Sequence, residues 1–390
     1  MSAPRISDTG TQIPRSGAAR LIALLALLVA FGPMSIDMYL PAMPAIAADL
    51  AAGSGAVQLT LSAFFLGFAA GQLVYGPMSD RYGRRPIIIG GVALYVVSSG
   101  FCALSADVEQ LVALRFLHAI GGSAAAVVAR ATVRDFFAGN EAARVLSLIM
   151  MVMSAAPLMA PFIGGYLLIW FDWRAIFWVL TGFGAICLLA TLFWLQEGNP
   201  PERRTRTSWS GVGLNYLRIA TDRQAIGCIL SSAFAMAGMF TFFAASPFVY
   251  IDIYGLPAEN YGYLFGLNVI GLMTLGYLNS RLVTRVGIFP LLTAGTCISA
   301  LSGLVLLYTG ATGFGGLAGL VIPLFCYISA LALIGANGMA GALDCFPRLS
   351  GTVSALAGGL QFGVGALAGA AVGSFHADSA LPMAAGICAT

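Results

Sequence analysis

The feature that most constrains this chain is a near-continuous succession of apolar stretches. Each is about 20 residues long, enough to cross a ~30 Å hydrocarbon layer as a helix. They fill most of the 390 residues, of which 59% are hydrophobic and 9% charged. Inside hydrocarbon every backbone N–H and C=O must be bonded within the protein, which leaves only helices or a closed barrel. Barrel strands would show alternating segments of ~10 residues, and no such alternation is present. The chain therefore reads as an all-α integral membrane protein. Helices are expected at 18–41, 56–79, 86–105, 109–134, 141–169, 173–196, 223–251, 258–283, 287–309, 314–344, 350–375 and from 380 onward. The twelfth is short: only LPMAAGICAT remains, half of what a span needs, so a truncated twelfth helix is expected. The first 17 residues form a polar tail with Arg5 and Arg15 and do not resemble a cleavable signal.

Charge placement orients the chain. Every basic residue is Arg. Arg5, Arg15 and Arg20 precede the first helix, and Arg81, Arg84 and Arg85 lie between the second and third. Arg130, Arg134 and Arg144 surround the next turn on that side. Arg203, Arg204, Arg206, Arg218 and Arg223 fill the central loop, and Arg281, Arg285 and Arg348 mark later turns. Only Arg174 sits in an opposite loop, and Arg115 is inside a helix. The positive-inside rule makes the Arg-rich face cytoplasmic, with the N-terminus inside. Without Lys there is no Gly-Lys-Ser/Thr phosphate loop, so ATP is not bound that way. Seven scattered Cys and two distant His offer no metal-ligand spacing and read as inert.

The polar stretch 197–222 divides six helices from six, giving a tail (1–17), an N-terminal half (18–196), a cytoplasmic linker (197–222) and a C-terminal half (223–390). GPMSDRYGRRP at 76–86 has a faded copy, NSRLVTRVGIFP, in the second half: Arg81, Gly83 and Pro86 align with Arg285, Gly287 and Pro290. Two six-helix halves in parallel repeat is a transporter architecture. In the first copy Gly83 suits a tight turn and Pro86 a helix start. The three Arg either face lipid headgroups or join Asp80 and Asp135 in a buried charge network. Asp80 favours the network of Asp80, Arg84 and Asp135, which would latch the two halves and break as they rock.

Two charges lie within the membrane. Arg115 is about one and a half turns into its helix, and a charge at that depth costs several kcal/mol unless paired. Asp37 lies near the outer end of the first helix at similar depth. It either exchanges protons, switching with its surroundings, or caps a helix ended by Pro41 and Pro44. Arg115 either takes part in that coupling or bonds first-helix carbonyls. His118, one turn on, is a packing residue or a proton relay. His376 falls in an outer loop. A pocket of Met and aromatic surface suits varied ligands. Its candidates are Tyr39, Met151, Phe240 and Phe243, with Asn268, Asn337 and Gln361 as polar points. The glycines of 351–369 read as a close-packing, sliding surface.

These motifs resemble those of the major facilitator superfamily. G-x-x-x-D-R-x-G-R-R at 76–85 is similar to its signature. RFLHAIGGSAA at 115–125 and APFIGGYL at 160–167 resemble the helix-4 and helix-5 motifs of proton-coupled drug antiporters, with Ala160 where Gly is usual. SIDMYLPAMPAIAADL at 35–50 and AGMFTFFAASPFVYI at 237–251 resemble the bicyclomycin-resistance branch. The resemblance implies a twelve-helix fold and a bacterial inner-membrane exporter of small drug-like molecules such as bicyclomycin. It implies proton/drug antiport, with a proton gradient in place of any cofactor. It assigns proton coupling to Asp37 and Arg115, the cytoplasmic gate to Asp80, Arg84 and Asp135, and the helix-5 bend to Pro157, Pro161, Gly164 and Gly165. Partners would be drug, protons and lipid, without nucleic acid or ATP, and the chain would act as a monomer. The alternative is an exporter or facilitator of a small metabolite such as an amino acid. No reactive constellation points to an enzyme.

Overall fold

The computed structural model describes residues 15–137, 139–204, 209–375 and 379–390. His376, assigned to an outer loop, lies outside them, as do residues 1–14 of the tail. Among the described residues eleven helices are long and apolar enough to cross a membrane. They are α1 (Ala18–Asp49), α2 (Ser54–Tyr82), α3 (Arg84–Ala103), α4 (Val108–Phe136), α5 (Arg144–Trp170), α6 (Arg174–Trp194), α7 (Arg223–Ile253), α8 (Ala258–Val286), α9 (Ile288–Thr312), α10 (Gly316–Cys345) and α11 (Pro347–Gly373). The helix α12 (Leu381–Cys388) is shorter than a span.

The packing repeats. In the first half α2 packs on α4, α3 on α4, and α3 on α6; in the second α8 packs on α10, α9 on α10, and α9 on α12. Two seams join the halves: α2 against α11, and α5 against α8. The turns aligned by sequence also match in conformation. Gly83 and Gly287 close α2 and α8 at φ +104° and +89°, a region that glycine enters without the Cβ penalty. The central segment holds more than a polar connection, since Trp209–Thr221 is an additional linker helix.

The first helix departs from expectation. Pro41 and Pro44 do not end α1. Each occupies the opening turn of a following short element, Leu40–Ala42 and Met43–Asp49, where a missing N–H removes no helix bond. The span is thus bent where its α-helix is interrupted, at Ala30 and at residues 38–42, and it continues to Asp49. Asp37 closes the Phe31–Asp37 segment inside the span and is 3% exposed, so it is no cap at the membrane surface.

Close helix approach depends on glycine. A methyl on Gly121 of α4 would meet backbone atoms of Gly91 and Tyr95 on α3, whereas Gly90 faces open space. Gly121→Ala should therefore lower the thermal unfolding midpoint of the purified protein, at a cost of about 1–3 kcal/mol from overpacking. Gly90→Ala, inside the same α3 helix but facing open space, should not lower the midpoint.

Candidate functional site

Three constellations occupy the positions that the sequence singled out. The first surrounds Arg115, which has no exposed surface. Its guanidinium donates to the Ser35 carbonyl at 3.1 Å and lies 3.2 Å from His118 Nδ1. It sits 4.2 Å from the Phe64 ring centre and 4.5 Å from that of Tyr39, each such contact stabilising by roughly 0.5–2 kcal/mol when desolvated. The bend in α1 makes this possible. In a straight helix the Tyr39 N–H would bond Ser35; here it turns to Ile36 at 3.2 Å, leaving the Ser35 carbonyl to Arg115. The helix-1 carbonyl reading of Arg115 is thus realised in the geometry. No ion pair forms between Arg115 and Asp37.

Tyr39, expected on a ligand pocket, instead floors the Arg115 site with no exposed surface. Thr60 commits its hydroxyl hydrogen to the Val57 carbonyl at 2.6 Å, so Tyr39 donates to Thr60, also at 2.6 Å. His118 lies tilted against Tyr95, 4.2 Å between ring centres, and its Nε2 is buried without a hydrogen-bond partner among the described residues.

Asp37 faces the other way, into the seam between halves. The Tyr261 hydroxyl of α8 lies within electrostatic range of its carboxylate and shares a 2.8 Å hydrogen bond with Ser246 of α7. Nearby Tyr250, 6.1 Å from Tyr261 between ring centres, buries a hydroxyl without a partner. The buried carboxylate is therefore within electrostatic range of a neutral phenol of the other half, with Arg115 gripping the backbone two residues away.

The second constellation is at the Arg-rich face. Arg84 bonds Asp80 at 2.6 Å, Ser79 at 2.6 Å and Asp135 at 2.8 Å, joining α2, α3 and α4. Sequence reasoning missed two further members. Glu197 accepts from the backbone N–H groups of Arg84 at 2.8 Å and Arg85 at 3.1 Å, a carboxylate at a helix N-terminus where the dipole favours it. Asn199 donates to the Asp80 carbonyl at 3.0 Å. Both bind backbone atoms, which leave no residue pattern to read. All of these partners belong to α2–α4 or the first residues after α6, so the network clasps one half internally and is not itself a latch between halves.

The third is the aromatic and glycine seam. Phe240 of α7, buried, stacks on Phe65 of α2 at 4.2 Å and lies 5.0 Å from Phe362 of α11. Phe68 meets Phe362 at 4.6 Å, and Phe243 meets Phe265 at 5.4 Å. Phe65, Phe68 and Phe362 were not anticipated, although FFLGF at 64–68 spaces its rings on one face. On α5, Pro157 and Pro161 are inside a continuous helix. Gly164 lies on the Met38 carbonyl of α1, and Gly165 on the backbone of Ala258 and Glu259. From Leu158 towards the Arg-rich face α5 and α8 separate, opening a cleft of about 370 Å³ lined by Ser147, Met150, Met151, Ser154, Ala155, Leu158 and Met273. Met151 lines it; Phe240 and Phe243 do not. Asn337 is tied to Asn279 at 2.7 Å, and Asn268 is buried with its Oδ1 unpartnered. Gln361 is half-buried.

The chain matches the family described as Major Facilitator Superfamily over residues 25–370. It belongs to that superfamily. It is 35% identical over 362 residues to a bicyclomycin resistance protein homolog of Haemophilus influenzae, covering 93% of this chain and 91% of that one. It is 30% identical over 363 residues to multidrug resistance protein D of Escherichia coli, covering 91% and 89%. Among solved structures it resembles the nucleoside transporter NupG (TM-score 0.74, 13% identity, 92% and 90% covered). It also resembles the xylose transporter XylE of E. coli in a partially occluded inward-open conformation (TM-score 0.71, 13% identity, 96% and 95% covered). Identities this low carry the fold alone. The family places the chain among transporters, not enzymes.

Arg84 needs its planar fork to hold three partners at once, and the single ammonium of Lys cannot. Arg84→Lys should destabilise the protein by roughly 1–3 kcal/mol; a fully buried pair would cost more, but Asp80 is half-exposed. Thermal unfolding measures it, with exposed Arg81→Lys as the unchanged control.

Proposed function

We propose that this protein is a secondary exporter of small, partly apolar, drug-like molecules, driven by protons through antiport. The observation that carries the reading is Asp37: a carboxylate with no ion-pair partner among the described residues, buried at the seam between halves, beside a backbone anchored by Arg115. Such a group is tolerated when protonated and the seam is closed, and is favoured in its charged form when the seam opens to water. Proton binding is then linked to which side is open, and alternating access follows from two rocking halves.

The names of the relatives support drug-like substrates, bicyclomycin among them. The cleft between α5 and α8, with its Met150, Met151 and Met273 walls, fits a tolerant site, because thioether side chains adapt to varied shapes. The Arg-rich face is cytoplasmic on the positive-inside rule, which puts the N-terminus inside a bacterial inner membrane. Each half supplies the other's partner surface, so the working unit is a monomer of two six-helix halves (18–196 and 223–390) joined by the linker 197–222. Asp80, Arg84 and Asp135 brace the first half's side of the gate on that face, and Pro157, Pro161, Gly164 and Gly165 shape the α5 contact. Phe240, Phe243, Asn268, Asn337 and Gln361 become ligand contacts once the seam opens.

The test uses inside-out vesicles with an imposed pH gradient followed by a pH-sensitive dye. Addition of bicyclomycin or another exported compound should discharge the gradient with wild type and not with Asp37→Asn, at equal protein in the membrane. Discharge by Asp37→Asn at the wild-type rate would remove Asp37 from coupling. Equilibration of labelled compound without any proton movement would make the protein a facilitator.

A further inference from the structure

The linker helix Trp209–Thr221 contributes one residue that no motif accounts for. Its Ile219 is fully buried among Ala225, Cys228, Ala342, Val353 and Ala357, all on α7, α10 and α11, so the helix rides on the second half. From that base Tyr216 reaches across and donates its hydroxyl hydrogen to the Leu73 carbonyl of α2 at 3.0 Å.

That carbonyl is available for a reason written in the sequence. Within α2 the Leu73 carbonyl would accept from the N–H of residue 77, which is Pro77 and has none to give. A carbonyl left bare in this setting is costly, and Tyr216 supplies the missing donor from the opposite half. The bond also sits beside a close contact between the halves. A methyl on Gly359 of α11 would run into the Leu73 side chain, and one on Gly358 into Gln72. Burial pushes the Tyr216 phenol up to about 12, so it remains a donor throughout the physiological range.

We propose that Tyr216 is a positioning residue of the transport cycle, a strut that holds α2 against α11 at the Arg-rich face by bonding the carbonyl that Pro77 leaves free, and that it must release when the seam opens there. The strut joins the halves at the face where the Arg84 network, confined to the first half, does not. The proposal rests on the reading of rocking halves but not on proton coupling.

The experiment uses the full chain with its seven Cys replaced and spin labels placed through Tyr82→Cys on α2 and Gly351→Cys on α11. Tyr82 is exposed, and Gly351 faces open space. Pulsed dipolar spectroscopy reads the ratio of separated to closed populations. Tyr216→Phe, which keeps the ring and removes the donor, should raise that ratio roughly fivefold, the effect of one hydrogen bond of ordinary strength. Pro77→Ala restores an N–H for Leu73 inside α2. Adding Tyr216→Phe to that background should then change the ratio less than twofold, a coupling that only a shared carbonyl produces. An unchanged ratio in Tyr216→Phe, or the same shift in both backgrounds, overturns the proposal. The expected distance shifts in a protein that moves no protons would leave the strut standing and remove the antiport reading instead.

Discussion

A guanidinium buried without a carboxylate is the constraint around which the first half is arranged. Arg115 cannot shed its charge, and desolvating it costs several kcal/mol. The protein offsets this with a carbonyl, an imidazole nitrogen and the faces of Phe64 and Tyr39. The carbonyl is free only because α1 bends. The same bend leaves Asp37 at the close of a buried helical segment, within electrostatic range of Tyr261 of the other half. A straight α1 would lose both the Arg115 anchor and the interfacial acid together, so the charge in α4 and the shape of α1 are one arrangement.

Much of this was legible beforehand. Hydropathy placed most of the spans within a few residues, because length and apolarity are all the bilayer asks of a helix; the exception is α1, expected to end at 41 and continuing to Asp49. The 76–86 turn was legible as well, since Gly83 supplies a positive φ while Asp80 and Arg84, with Asp135 of α4, act through side chains of distinctive type. The α1 bend was not, because a proline ends a helix or opens the next one with equal ease, and Pro41 and Pro44 do the latter. Glu197, Asn199 and Tyr216 were invisible for a different reason: their partners are backbone atoms, and a carbonyl looks the same under every residue. Only Pro77 hinted that one carbonyl of α2 wanted a donor. The pocket candidates were mixed. Met151 faces the cleft, whereas Tyr39 supports Arg115 and Asn337 is tied to Asn279, because aromatic and amide side chains serve packing as readily as ligands.

The same segment serves both halves by different means. Its first residues, Glu197 and Asn199, cap the ends of α2 and α3 and stiffen the first half. Its helix packs by Ile219 onto the second half and returns a bond to the first. On the opposite face Arg174 and Trp173 both hold Asp49, at 2.7 and 3.0 Å, tying the end of α1 to the start of α6.

That division of the linker bears on how the chain is made. The cap supplied by Glu197 and Asn199 follows α6 directly, so the network around Arg84 is complete as soon as those residues leave the ribosome. Nothing in that clasp waits for α7. The first six spans can settle into a finished unit while the rest is still being synthesised, and the linker helix arrives afterwards with the second half to which it is packed. A nascent chain with so many apolar spans is exposed to mispairing between early and late helices. Closing the first half on itself before the second appears removes most of the wrong partners.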